Sequence, residues 1–222
     1  MLETLILLYF VLSKPGEPNI LGSSSVAWVP VRQVLASRSF SMETRYDVPS
    51  VNAVFKDNIL LALRYMNGDV KNKEEINWEE VVEPFHFETT LQAGEGFAFH
   101  DQILAEYKDK IVKTTNAHFN FQDGFKTDGF LYGDGVCHLA SLIYWAAKDA
   151  GLETVYFANH NFAKINEVPK EYGVSIRFDP GNFANGSRQN LYIFNSYDHP
   201  VTFVFEYDGT NLTISVLEAK NS

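Results

Sequence analysis

The chain has one cysteine, Cys137, and a single thiol cannot form an internal disulfide. A fold of 222 residues must then be held by a buried apolar core, and a chain this long can build one. The composition supplies it: 45% of residues are hydrophobic, and the 18 Phe, 11 Tyr and 3 Trp carry much of the burial energy. The formal charge of -10, with no cluster of Lys and Arg, argues against nucleic acid as a partner.

The first 25 residues read as a hydrophobic segment and a linker, and residues 26–222 as a single domain. "LILLYFVL" (Leu5 to Leu12) is far short of the about 20 residues that cross a bilayer. Its length suits a signal peptide or a membrane anchor, although Glu3 stands where a signal peptide carries Lys or Arg. Two other readings stay open: an element docked on the domain, and a remnant of a longer N-terminal region. "SKPGEPNILGSSS" (Ser13 to Ser25) has linker composition, and Pro30 marks "VAWVPVRQVL" as an edge strand.

Val51, Val54, Phe55, Ile59, Ala62 and Met66 recur at helical spacing and predict a helix that stops at Gly68. Asn77 and Glu80 form a capping pair for a short helix ended by Pro84. His86 to Phe99 reads as a strand pair around Gly-Glu-Gly, and Asp101 to Ile111 as another short helix. A helix from Cys137 to Gly151 follows a loop-rich stretch, with Ala140, Ile143, Tyr144, Ala147 and Ala150 facing inward. Strands are expected at "TVYFA", "VSIRF" and "NLYIFN", and a closing β-hairpin around "DGTN" (Asp208 to Asn211). The expectation is an α+β fold: N-terminal helices and the cysteine-bearing helix packed on a mostly antiparallel sheet with a C-terminal hairpin.

Cys137 lies at a helix start, where free N–H groups and the helix dipole favour a thiolate and lower the thiol pKa. Gly133 and Gly135 let the backbone approach a substrate carbonyl. A nucleophilic thiol needs a nearby base. His138 is adjacent but points about 100° away around the helix. His160 lies just past the next strand, and Asp179 follows on the strand after it. That order of Cys, His and acid resembles transglutaminase-like and papain-like thiol enzymes. The competing reading is that Cys137 is a small buried side chain, the usual state of a free cysteine. No CxxC, HExxH or HxH spacing is present, so no metal and no cofactor are expected.

Several segments together resemble the VanW-like family, named for a protein encoded in some vancomycin-resistance gene clusters. They are "FKDNILLALRYMNG", "LQAGEGFAFHD", "GDGVCHLASLIYWAAKDAGLE", "NHNFAKINEVPKEYGVSI" and "NLYIFNSYDHPVTFVF". The resemblance places Gly135, Cys137, Ser141 and His160 on family motif positions. His138 stands where the family usually has Gln, and Asp134 where it has Gly. The family's Asp falls near Tyr172 or Gly173, so the acid of a triad has to come from Asp179.

The resemblance implies the bacterial envelope, outside the cytoplasm or tethered to a membrane through the N-terminal segment. Two functions follow as expectations. One is a thiol-dependent hydrolase or transpeptidase acting on amide bonds of peptidoglycan. Its catalytic residues are Cys137, His160 and Asp179, with Gly133, Gly135, His138, Ser141 and Asn159 binding. The other is a non-catalytic module that binds a cell-wall glycan or peptide through a groove at the helix start, aided by aromatics such as Trp145 and Tyr132.

Overall fold

A computed structural model of the chain describes residues 32–129 and 133–219. The apolar segment and linker of residues 1–25, Pro30 and Tyr132 lie outside the described residues.

The chain opens with strand β1 (Arg32–Ser41) and helix α1 (Pro49–Asn67). Pro49 suits the first helical turn, where its missing N–H is not needed, and the Gly68 N–H closes the last turn on Arg64 and Tyr65. From Asn58 to Met66 every residue but Arg64 is buried, so α1 is enclosed on more sides than its predicted stripe. Short helix α2 (Trp78–Val81) is capped by Asn77, whose Oδ1 accepts from Glu79 N–H while its amide donates to Glu80.

Strands β2 (Phe85–Leu91), β3 (Gly96–Ala98) and β4 (Ile111–Lys113) come next. Helix α3 (Val136–Asp149) carries Cys137 and leads to β5 (Glu153–Tyr156). Helix α4 (Phe183–Arg188), β6 (Leu191–Phe194), β7 (Val201–Tyr207) and β8 (Asn211–Ala219) complete the order.

The strands divide into two sheets. One runs β1-β8-β7-β2 and is antiparallel throughout; the other runs β4-β3-β6-β5, with only β3 and β4 parallel. The class is α+β, and β7 and β8 form the expected hairpin. α3 joins the two layers, packing on β1 and β8 of the first sheet and on β5 and β6 of the second. Leu139, Leu142, Ile143, Ala146 and Ala147 are all buried there. Each large aliphatic of that set contributes about 1.5–3 kcal/mol of burial energy.

Three local expectations are corrected. β2 and β3 are not a strand pair: β2 pairs with β7 and β3 with β6. Asp101 to Ile111 holds only a 3-10 turn at Ala105–Tyr107, because the Tyr107 ring is drawn onto Tyr192 and Phe194. Val174 to Phe178 is extended but joins no sheet; one bridge, Asn159 to Val174, is its whole ladder pairing. No helix among the described residues is long and apolar enough to cross a membrane.

Candidate functional site

A cleft of about 650 Å³ opens at the N-terminal end of α3. That volume is typical of a small-molecule site. Its walls come from Phe55 of α1, loop residues 118–128 and 133–135, the head of α3 and the stretch 160–178. Gly133 and Gly135 shape it. Gly135 has φ +98°, and a Cβ there would lie 2.7 Å from the Phe55 carbonyl oxygen. Gly133 has φ +80°, and its Cβ would meet the Phe119 carbonyl oxygen at 2.7 Å. Only glycine lets this loop turn into α3 so close to α1. Asn58 locks the loop from behind, donating to the Lys126 and Asp134 carbonyls and accepting from Lys126 N–H.

Cys137 is half-buried and faces the cleft, but its sulfur is engaged by backbone. Sγ accepts from Ile176 N–H at 3.4 Å, and the thiol donates to the Ile176 carbonyl at 3.6 Å. Burial pushes the thiol above its ordinary value, against the pull of the Ile176 N–H and the Ser175 side chain, and the charge of Asp134 pushes the same way. The expected lowering at a helix start is therefore reversed, because desolvation of a thiolate outweighs the dipole here. Ser141, one turn further along α3, is buried and repeats the pattern: its hydroxyl donates to the Cys137 carbonyl and accepts from Val174 N–H. Cys137 and Ser141 together dock residues 174–176 on the helix.

His160 lines the same cleft, yet no hydrogen bond joins it to Cys137. Its Nδ1–H donates to the Ala163 carbonyl at 3.2 Å, which leaves Nε2 with the lone pair. Burial lowers its pKa, so the ring is neutral. Its neighbour is His138: the two rings stand edge to face with centroids 5.9 Å apart. His138 also packs edge-on against Phe55. Only 5% exposed, it has a pKa lowered to about 3 by burial, then by the positive charge of Arg45. Its Nδ1 is buried without a hydrogen-bond partner.

Asp179 does not complete a triad. Its carboxylate accepts from Asn185 Nδ2 at 2.7 Å and from Gly181 N–H at 3.2 Å, holding the turn into α4 rather than the His160 ring. Asn159 is exposed and outside the cleft lining, with its backbone paired to Val174. Trp145 is also elsewhere, stacked on Tyr172 beneath Arg38. Of the eight sequence-derived residues, the cleft gathers Gly133, Gly135, Cys137, His138 and His160.

Residues 56–217 match the sequence model of the family described as VanW like protein. The chain belongs to the VanW-like family. The match runs from within α1 to within β8, covering the second sheet and all of the first but β1 and the end of β8, and takes in every residue of the cleft wall named here except Phe55. No curated protein and no solved structure matches the chain.

Two titratable groups of this VanW-like cleft escaped the sequence reading. The Asp134 carboxyl is raised to about 6 by burial and by the neighbouring Asp128 carboxyl, against an N–H donated by Asp128. His118 is raised to about 9 by its hydrogen bond to Asp123, helped by Asp101 and opposed by partial burial, so it is a cation at neutral pH. Neither had a sequence signal: each shift comes from partners or burial that only the fold supplies. Among the described residues no group of three or more His, Cys, Asp or Glu is placed to hold a metal ion.

Proposed function

We propose that this VanW-like chain is a ligand-binding module of the bacterial envelope that recognises a cell-wall glycan or peptide in the cleft at the head of α3, and that Cys137 serves structure there. The observation that carries this reading is the engagement of the Cys137 thiol in both directions by the Ile176 backbone, with no base bonded to it. A nucleophilic thiol needs a lowered pKa and a hydrogen-bonded base, whereas this one is raised. The family's tie to vancomycin resistance supports a cell-wall ligand and a place outside the cytoplasm.

Incubation of the purified protein with peptidoglycan sacculi tests the reading. The wild type and Cys137→Ala are expected to co-sediment with sacculi equally, with no soluble fragments released. Fragments or new amine ends produced by the wild type and absent with Cys137→Ala would instead make it a thiol enzyme, and loss of co-sedimentation by the wild type would remove the envelope ligand.

A further inference from the structure

Two histidines that line the cleft, His138 and His160, have hydrogen-bonding capacity to spare. His138 is buried, and its Nδ1 is fully enclosed with no hydrogen-bond partner. Buried polar atoms without partners are uncommon in folded proteins, because leaving water uncompensated is costly. His160 stands beside it with Nδ1–H committed to Ala163 and the Nε2 lone pair uncommitted among the described residues. At the rim, Phe162 lies 4.1 Å from the His160 ring and is 76% exposed, a flat apolar face turned to solvent.

We propose that His138 and His160 form a two-imidazole subsite that hydrogen-bonds a hydroxyl of an uncharged sugar ring stacked on Phe162. This rests on the reading of the cleft as a ligand-binding site and names the ligand class. His160 Nε2 needs a donor, and His138, whose Nδ1 is sealed from the cleft, has Nε2 to offer as an N–H donor. A hydroxyl donates and accepts through a single oxygen, so it answers both rings, whose centroids are 5.9 Å apart. A peptide group divides its donor and acceptor between two atoms, so it cannot bridge the two rings through one. A carboxylate gives Nε2 no donor and enters a cleft that Asp128 and Asp134 also line. The lining carries two cations, Lys164 and Arg177, against two acids, Asp128 and Asp134, and the His118 cation is held between Asp101 and Asp123, so the surroundings favour a neutral ligand.

Calorimetric titration with a chitin tetrasaccharide, a neutral glycan, and with a free stem tetrapeptide, a charged peptide, tests the subsite. The wild type is expected to bind the glycan in preference to the peptide. His138→Phe keeps the ring packed against Phe55 but removes its polar atoms, and is expected to weaken glycan binding about tenfold. His160→Phe and Phe162→Ala are expected to act in the same direction. Unchanged melting temperatures confirm folding. Should His138→Phe not fold, the glycan-induced shift of the His160 ring protons in the wild type replaces it, and the absence of that shift overturns the subsite. Glycan affinity within twofold of wild type in both histidine variants, or a preference for the peptide, overturns the subsite and leaves the binding cleft standing. Failure of the wild type to bind either probe or sacculi overturns the cleft reading itself.

Discussion

Acidification should unfold this protein through two imidazoles that the fold keeps neutral. His138 is lowered to about 3 and His100, fully enclosed with Nε2–H on the Gln189 carbonyl, to about 4, both chiefly by burial. In the unfolded chain each titrates at its ordinary 6.5. Below that value the unfolded state takes up protons that the fold refuses, so stability falls as pH falls. Between about pH 7 and about pH 4.5 each histidine withdraws about 2–3 kcal/mol. Asp134 runs the other way: raised to about 6, it is protonated in the fold first and returns part of that loss, reduced by its contact with solvent. Replacing His138 with Gln isolates one contribution, since every other titrating group is common to both proteins. Urea denaturation of wild type and His138→Gln near the two pH values reads the difference. The variant should lose about 2–3 kcal/mol less on acidification than the wild type. Equal acid losses in the two proteins would refute the placement of His138 as a buried neutral ring.

The rate of iodoacetamide labelling of Cys137 should rise with a midpoint above the ordinary thiol value of 9.0 and should not change in His160→Ala; a midpoint near neutrality that shifts in that variant would restore the thiol enzyme. Gly135→Ala should cost about 2–4 kcal/mol in chemical denaturation, from the left-handed backbone and the contact with the Phe55 carbonyl. Asn58→Ala should cost about 3 kcal/mol, since three hydrogen bonds to the loop before α3 are lost from a buried side chain. A loss under about 1 kcal/mol would show that the loop holds its shape without them.

The parts of the fold legible in the sequence are those fixed by neighbours in the chain. α1 and α3 announce themselves by helical spacing and by Gly68 and Gly151 beyond their ends, and the β7–β8 hairpin by the turn at Asp208. The partner of a strand is a different matter. β2 has the alternation of a hairpin strand, but its ladder is with β7, far along the chain, and nothing local to β2 encodes that choice. Residues 174–178 look like a sheet strand; in the fold, Cys137 and Ser141 side chains take the hydrogen bonds of Ile176 and Val174 that a neighbouring strand would use. The site divides the same way. Sequence order brought Cys137 and His160 to one cleft, while the neutral His138, the raised Asp134 and the ionised His118 depend on burial and on partners that only the tertiary fold supplies.

The family match starts at Lys56, within α1, and β1 lies wholly before it. Yet β1 is laddered to β8 along its whole length, from Arg32 opposite Ala219 to Ser41 opposite Asn211. A fragment trimmed to the recognisable stretch would strip the N–H and C=O groups of β8 of their partner and invite self-association into aggregates. It would also delete Arg45 and Phe55, which press on His138. The boundary drawn by kinship is thus not the boundary of the folding unit, and expression clones should begin at or before Arg32.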